Sequence, residues 1–422
     1  MKRHLWKLVR STRADRLGPG LITGAADDDP SGIATYSQAG AQFGFGMLWT
    51  VVFTFPLMTA IQMVSARIGH ITGHGLTANI KRAFPRWVTV TIVVLLVCAN
   101  TLNISADIAA MGEALQLLAG GSALIYSITF GLLCLVLQVF LPYQSYVRWL
   151  KWLTLALLSY VAVVFTLDID WRQVAWSVIV PPMVLSRQSL LMIVAVFGTT
   201  ISPYLFFWQA AQEMEDVRAA ASQPPTRATV RSHLRRIQWD TTIGMAVSNL
   251  IAFFIILSTA VTLHAHGAQT IETAAQAAEA LRPLAGDFTF AVFSMGIIGT
   301  GLLAVPVLAG SAAYAAAEAM GLEGSLSSRL EHGEGKGFYS IIAFATLGGV
   351  ALSLTPSDAV QELFWSAVLN GVIAVPIMVV MMLLAGRRDI MGTHTVNGRL
   401  RLLGWLSTAA MAAAVVGMLW MS

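Results

Sequence analysis

Residues 18–46 read GPGLITGAADDDPSGIATYSQAGAQFGFG, and the rest of the chain is organised around them. Small and apolar residues run to Ala26, and three carboxylates follow at Asp27, Asp28 and Asp29. After Pro30-Ser31-Gly32 a second apolar stretch begins at Ile33. Pro30 lacks a backbone donor and Gly32 loosens the chain, so the spacing predicts a helix that opens at Asp29-Pro30-Ser31-Gly32. An opened helix leaves carbonyls without N–H partners, and carboxylates at such a place are costly unless a cation uses them. The stretch therefore predicts a cation site in a discontinuous helix. Asp29, beside the break, supplies its main charge.

Composition sets the surroundings of that helix. The chain has 422 residues, 56% hydrophobic and 11% charged, with a mean hydropathy of +0.70. Soluble proteins carry about 25% charged residues. The sequence thus predicts an all-α membrane protein embedded in a lipid bilayer, and its length allows roughly ten to twelve spans. The net charge of +4 is scattered over short loops, which gives no basic domain for nucleic acid. No nucleophile–base set or cofactor loop is visible, so neither enzyme chemistry nor a cofactor is expected. Cys98 and Cys134 lie in apolar runs and read as packing residues.

Apolar runs and their flanks predict about eleven transmembrane helices. They fall near residues 18–43, 46–68, 88–117, 122–141, 149–168, 188–214, 238–262, 286–318, 338–355, 358–385 and 400–421. The sixth is interrupted at Ser202-Pro203-Tyr204, so spans one and six are the broken first members of two five-span halves. Five is odd, so the second half enters from the opposite side and the halves form an inverted repeat. Paired interruptions of this kind point to a transporter's central site. The expected organisation is a basic tail over 1–17, a first repeat over 18–168, a second over 188–385, and an eleventh helix with the C-terminus over 386–422.

Lys and Arg set the expected orientation. The tail (Lys2, Arg3, Lys7) and alternate loops (Lys81, Arg148, Arg231, Arg329, Arg387) are basic, and the intervening loops are not. This places the N-terminus in the cytoplasm and the C-terminus outside, in what reads as a bacterial inner membrane. No obligate protein partner is evident. The loop with Pro224 and Pro225 reads as a hinge or linker, and residues 269–284 as a short amphipathic surface helix.

The remaining polar residues are weaker signals. Asp27 and Asp28 are expected to line a vestibule or cap the second half-helix. Asp107, mid-way along the third span, predicts either a proton carrier or an ion pair with Arg148 or Arg67. Glu113, Glu213 and Asp216 are expected at wet span ends, and Asp240 as the N-cap of span seven. His70, His74, His233, His264, His266, His332 and His394 read as surface residues.

With these residues on the page, the sequence resembles the NRAMP family of divalent metal transporters. DPSGIATYSQAGAQFGFGMLW, from Asp29 to Trp49, carries the likeness most strongly. SARIGHITG, Ala106-Asp107 and residues 198–206 extend it. The resemblance implies a metal held between broken spans one and six. The family's Asp falls on Asp29, but its Asn falls on Gly32, its Met on Ser202 and its His on Tyr204. An acid usual after Asp107 is Ala110, and a span-ten glutamine has no counterpart, although Asn370 is placed to line the site. These departures resemble the NRAMP-related magnesium transporters.

Thioether suits softer metals, whereas carboxylate, carbonyl and water suit Mg²⁺ and Mn²⁺. The expected metal set is Asp29, Ala26, Thr199, Ser202, Gly32 and Tyr204, with Asp28, Asp107 and Asn370 along the pathway. The expected function is alternating-access transport of partly hydrated Mg²⁺, and of Mn²⁺, with weak or no proton coupling. One alternative is a proton-coupled Mn²⁺ or Fe²⁺ importer. A more remote one is an organic-ion symporter of the same fold.

Overall fold

The computed structural model describes residues 18–141, 154–219, 227–267, 270–322, 324–326, 335–355 and 358–421. The basic tail, Arg148, Pro224, Pro225, Arg329 and His332 lie outside the described residues.

The first span is two half-helices, α1 (Pro19–Asp27) and α2 (Pro30–Phe43). Then come α3 (Leu48–Thr72), the short α4 (Leu76–Ala83), α5 (Arg86–Ala119), α6 (Ala123–Phe140), α7 (Leu158–Val164) and α8 (Trp171–Ile179). The sixth span is again split, into α9 (Arg187–Thr200) and α10 (Pro203–Ala219), and α11 (Arg227–Thr262) follows. Two short helices, α12 (Ala274–Ala278) and α13 (Arg282–Ala285), stand where one amphipathic helix was expected. Gly286, with φ +51°, ends the second of them. The chain closes with α14 (Thr289–Met320), α15 (Lys336–Leu352), α16 (Ala359–Ala385), α17 (Arg388–Met391) and α18 (Gly398–Trp420).

Eight stretches among the described residues are long and apolar enough to cross a membrane. One of them, residues 30–72, holds both α2 and α3, and the shorter α7 and α15 are also apolar. The protein is an all-α membrane protein of about eleven transmembrane helices. Its lipid-facing surface carries exposed Phe53, Val94, Ile125, Leu132 and Val136. With lipid outside, the polar residues had to turn inward, and Asp27, Asp28, Asp29, Asn100, Asn103, Asp107 and Glu213 are all buried.

The two five-helix repeats show in the packing. α3, second in its half, packs on α10, and α11, second in the other half, packs on α1. Gln62 Nε2 donates to the Leu205 carbonyl at 2.8 Å and Ser65 Oγ to the Phe206 carbonyl at 2.5 Å, tying α3 to α10. On the other side Asp240 Oδ2 accepts from Gly20 N at 2.8 Å. Asp240 therefore caps α1. It is not the N-cap of span seven, because α11 starts thirteen residues earlier, at Arg227. The third members, α5 and α14, pack along each other between the halves.

Glycines set how close these pairs come. A Cβ on Gly24 would run into the Gly244 backbone, and one on Gly69 into the Ala210 carbonyl. Small residues are the usual means of bringing helix backbones together in lipid, where no hydrophobic force drives them. Gly24→Leu is expected to cost about 1–3 kcal/mol by forcing α1 off α11, read as a lower thermal unfolding midpoint in detergent. An unchanged midpoint would contradict this contact.

Candidate metal-ion site at the two helix breaks

The first break lies at Asp28 and Asp29, slightly before its expected position. Asp28 leaves the helical region with φ −85° and ψ 52°, and Asp29 is extended with φ −71° and ψ 170°. Pro30, Ser31 and Gly32 are the first turn of α2, which therefore does not wait for Ile33. The reason is local. Pro is favoured as the first helical residue, where its missing N–H costs nothing, and Asp is a strong N-cap. Asp29 Oδ1 accepts from Gly32 N at 2.8 Å and from Ser31 Oγ at 2.6 Å. The cap is thus Asp29 itself, not Asp27 or Asp28.

The prolines decide which carbonyls are left over. In a helix the Ala26 carbonyl would accept from residue 30, and the Thr199 carbonyl from residue 203. Both of those residues are proline and have no N–H. The Ala26 carbonyl accepts instead from Tyr204 Oη at 3.0 Å, and the Thr199 carbonyl from Ser202 Oγ at 2.7 Å. Ser202 Oγ also lies 3.1 Å from the Gly198 carbonyl.

Tyr204 joins the halves. Its hydroxyl bridges the Ala26 carbonyl and Asp29 Oδ2, the latter at 3.3 Å. Gly32 faces Thr199, and a Cβ there would lie 3.2 Å from Thr199 Oγ1 and 3.3 Å from the Tyr36 ring. Thr199 Oγ1 is buried without a hydrogen-bond partner. Asp29, Ala26, Gly32, Thr199, Ser202 and Tyr204 therefore meet in one place, enclosed on every side. Asp29 is 1% exposed and Tyr204 0%. Toward the α2 end, a cavity of only about 20 Å³ lies among Ile33, Ala110, Glu113, Phe293 and Leu363.

Asp28 turns away from this point. Ser248 Oγ on α11 lies 2.6 Å from Asp27 Oδ2 and 3.0 Å from Asp28 Oδ1. Asp107 is fully buried and neither carboxylate oxygen has a hydrogen-bond partner. It lies within electrostatic reach of Asp29 and Tyr204. The expected ion pair with Arg67 does not form, since Arg67 sits in a separate surface groove. Asn370 shares reciprocal amide bonds of 3.0 and 3.3 Å with Asn103, one turn from Asp107 on α5. Among the described residues no three His, Cys, Asp or Glu side chains form a resident metal cluster. A cation here would have one carboxylate and a set of neutral oxygens.

Two other expectations fail at the α1 end of the site. His70 and Glu213 are buried rather than at a wet surface, with His70 Nδ1 3.8 Å from Glu213 Oε2. Arg236 on α11 reaches Glu213 at 2.8 Å and Asp216 at 3.0 Å, which holds α10 to α11. The SARIGHITG run continues α3 to Thr72, one turn beyond its expected end, and this carries His70 inward.

Sequence reasoning missed Tyr36, Ser248 and Thr200. Tyr36 Oη lies 3.2 Å from Thr200 Oγ1, a second link between the broken spans. Ser248 could have been found as a polar residue inside the apolar run of span seven.

Comparison with known proteins bears on the family and the fold. A family model described as "Natural resistance-associated macrophage protein-like" (Nramp) matches residues 20–421. The divalent metal cation transporter MntH of Verminephrobacter eiseniae is 28% identical over 293 residues, covering 68% of this chain and 64% of that protein. MntH of Klebsiella pneumoniae strain 342 is 24% identical over 310 residues, 70% of each. Among solved structures, the Eremococcus coleocola manganese transporter superposes with a TM-score of 0.73 at 17% identity, over 96% of this chain and 85% of that one. A closed nucleobase-cation-symport-1 family transporter gives a TM-score of 0.61 at 12% identity, over 96% and 93%. The family match spans nearly the whole sequence, and the chain belongs to the Nramp family.

Proposed function

We propose that this chain carries divalent metal cations across the membrane by alternating access, favouring partly hydrated Mg²⁺, then Mn²⁺, with weak or no proton coupling. The observation that carries the reading is the hard surround of Asp29, made of hydroxyls, peptide carbonyls and one backbone amide. Its contacts are the Ser31 and Tyr204 hydroxyls and the Gly32 amide, with the orphaned Ala26 and Thr199 carbonyls beside them. Among the described residues no thioether or imidazole hydrogen-bonds to it. Family membership, and relatives that are named divalent metal cation transporters, support the class of cargo.

In this reading Asp29 supplies the charge and the Ala26 and Thr199 carbonyls are ligands. Ser202 offers a hydroxyl oxygen, Tyr204 shapes the site and Gly32 leaves room. The Tyr204 hydroxyl has a single hydrogen, which the Ala26 carbonyl at 3.0 Å and Asp29 Oδ2 at 3.3 Å compete for. Mg²⁺ dehydrates reluctantly and keeps several waters on one or two carboxylates. A soft metal gains little where sulfur and imidazole are missing. Asp28, Asp107 and Asn370 line the route. Transport is then passive, and two charges crossing 100 mV release about 4.6 kcal/mol.

One observation favours a second reading, a proton-coupled Mn²⁺ or Fe²⁺ importer. The buried, unpartnered carboxylate of Asp107 beside Asp29 would serve as the proton acceptor.

Liposomes holding the purified protein, a pH dye and an imposed inside-negative potential separate the two. We expect Mg²⁺ and Mn²⁺ uptake that rises with the potential, Mg²⁺ competing with Mn²⁺, and no acidification of the lumen. Mn²⁺ uptake that acidifies the lumen and ignores excess Mg²⁺ would establish the second reading. Asp29→Ala should lower flux at least about 100-fold, since an uncompensated buried charge interaction is worth roughly 3–5 kcal/mol. Flux equal to wild type would remove Asp29 from the site. Ser202→Met with Tyr204→His should raise the Mn²⁺ to Mg²⁺ uptake ratio about tenfold, and an unchanged ratio would refute the role given to these two side chains.

A further inference from the structure

A large cavity among the described residues lies away from the helix breaks. It is an open groove of about 1110 Å³ where α3 meets the start of α11 and the start of α18. Its mouth carries four arginines, Arg67 on α3, Arg231 and Arg235 on α11, and Arg399 on α18. Among the described residues none of the four has an ion-pair or hydrogen-bond partner, and no Asp or Glu lines the groove. Arg231, Arg235 and Arg399 are exposed and Arg67 is half-buried, so one guanidinium reaches down into the groove.

The polarity changes with depth. From Arg67, α3 lines the groove back through Met63 and Ala60 to Pro56 and Phe55. That is twelve residues, or about 18 Å of helix, close to half the roughly 30 Å apolar core of a bilayer. α11 runs the other way, from Arg231 at the mouth to Thr242 in the depth, and Leu403 closes the α18 side. The result is a charged rim over a largely apolar trough one leaflet deep, with Thr59, Gln238 and Thr242 as its polar residues, on the outer wall of the bundle, at the end to which the Lys and Arg pattern assigns the cytoplasm.

We propose that this groove binds one anionic diacyl glycerophospholipid of that leaflet, its phosphate among the four arginines and an acyl chain along Phe55, Ala60 and Met63. Charge complementarity selects the occupant. Four unpaired guanidinium groups with no counter-carboxylate call for an anion, since Arg matches phosphate oxygens with paired donors. The trough behind them excludes a merely soluble anion as the best fit, because its apolar wall needs hydrocarbon or stays wetted at a cost. Basic pockets between membrane helices are suited to such headgroups. The proposal does not depend on which ion the protein carries.

Native mass spectrometry of the full chain in detergent tests this, with phosphatidylglycerol, phosphatidylcholine of the same acyl chains, and glycerol 3-phosphate as probes. One phosphatidylglycerol should be retained per chain, and phosphatidylcholine at least about tenfold less well. Removing one arginine should weaken retention about fivefold, so Arg235→Gln with Arg399→Gln should weaken it about 25-fold. Both side chains are exposed, so this variant should keep the wild-type melting midpoint in detergent, which makes its result interpretable even if Arg67→Gln fails to fold. Ala60→Trp, which fills the trough without changing charge, should also displace the lipid. Equal retention of the two lipids, a double variant that binds like wild type, or displacement by equimolar glycerol 3-phosphate would each overturn the proposal.

Discussion

The structure turns on two peptide carbonyls that have no N–H to meet. Ala26 and Thr199 each lie four residues before a proline, so the helix that should satisfy them cannot. In a bilayer there is no bulk water to take over, and an unpaired carbonyl there costs several kcal/mol. The fold answers by bringing the two broken spans together, so that Tyr204 from one half serves the carbonyl of the other. The inverted repeat makes this meeting possible, because it sets the breaks at the same depth from opposite directions.

The second constraint is charge. Asp27, Asp28, Asp29 and Asp107 are all buried, and among the described residues none is paired with Lys or Arg. The interior divides the load. Ser248 takes Asp27 and Asp28 toward α11, while Ser31, Gly32 and Tyr204 take Asp29 toward the breaks. Hydroxyls and amides soften the cost of such carboxylates but do not neutralise them. What remains is negative potential in a dry place, which a crossing cation can balance. At the α1 end a cation is present instead, with Arg236 held between Glu213 and Asp216.

Much of this was legible in the sequence, because membrane spans announce themselves by length and because proline acts on a fixed neighbour. The spans, the two breaks and the convergence of Asp29, Ala26, Thr199, Ser202 and Tyr204 all follow from rules that act within a few residues. The misreadings came from contacts across long separations. Asp240 looks like the N-cap of its own helix, yet it caps α1, 220 residues away. His70 and Glu213 look like surface residues because each falls near the end of an apolar run, yet they bury each other between α3 and α10. Asn370 and Asn103 consume each other's amides, a pairing that neither segment declares. The position of the first break was missed for a subtler reason. Proline stops a helix in mid-run, but with an Asp in front of it the same residue starts one.

Because the peptide chain itself supplies the Ala26 oxygen, exchanging the side chain at position 26 leaves that oxygen in place. The residue that governs it stands one turn further on, as Pro30, and exerts its control by what it lacks. A survey that trims side chains one at a time would find the carboxylate and overlook half of its company. The chemistry of this interior is written partly in prolines, and they have to be read as donors withheld.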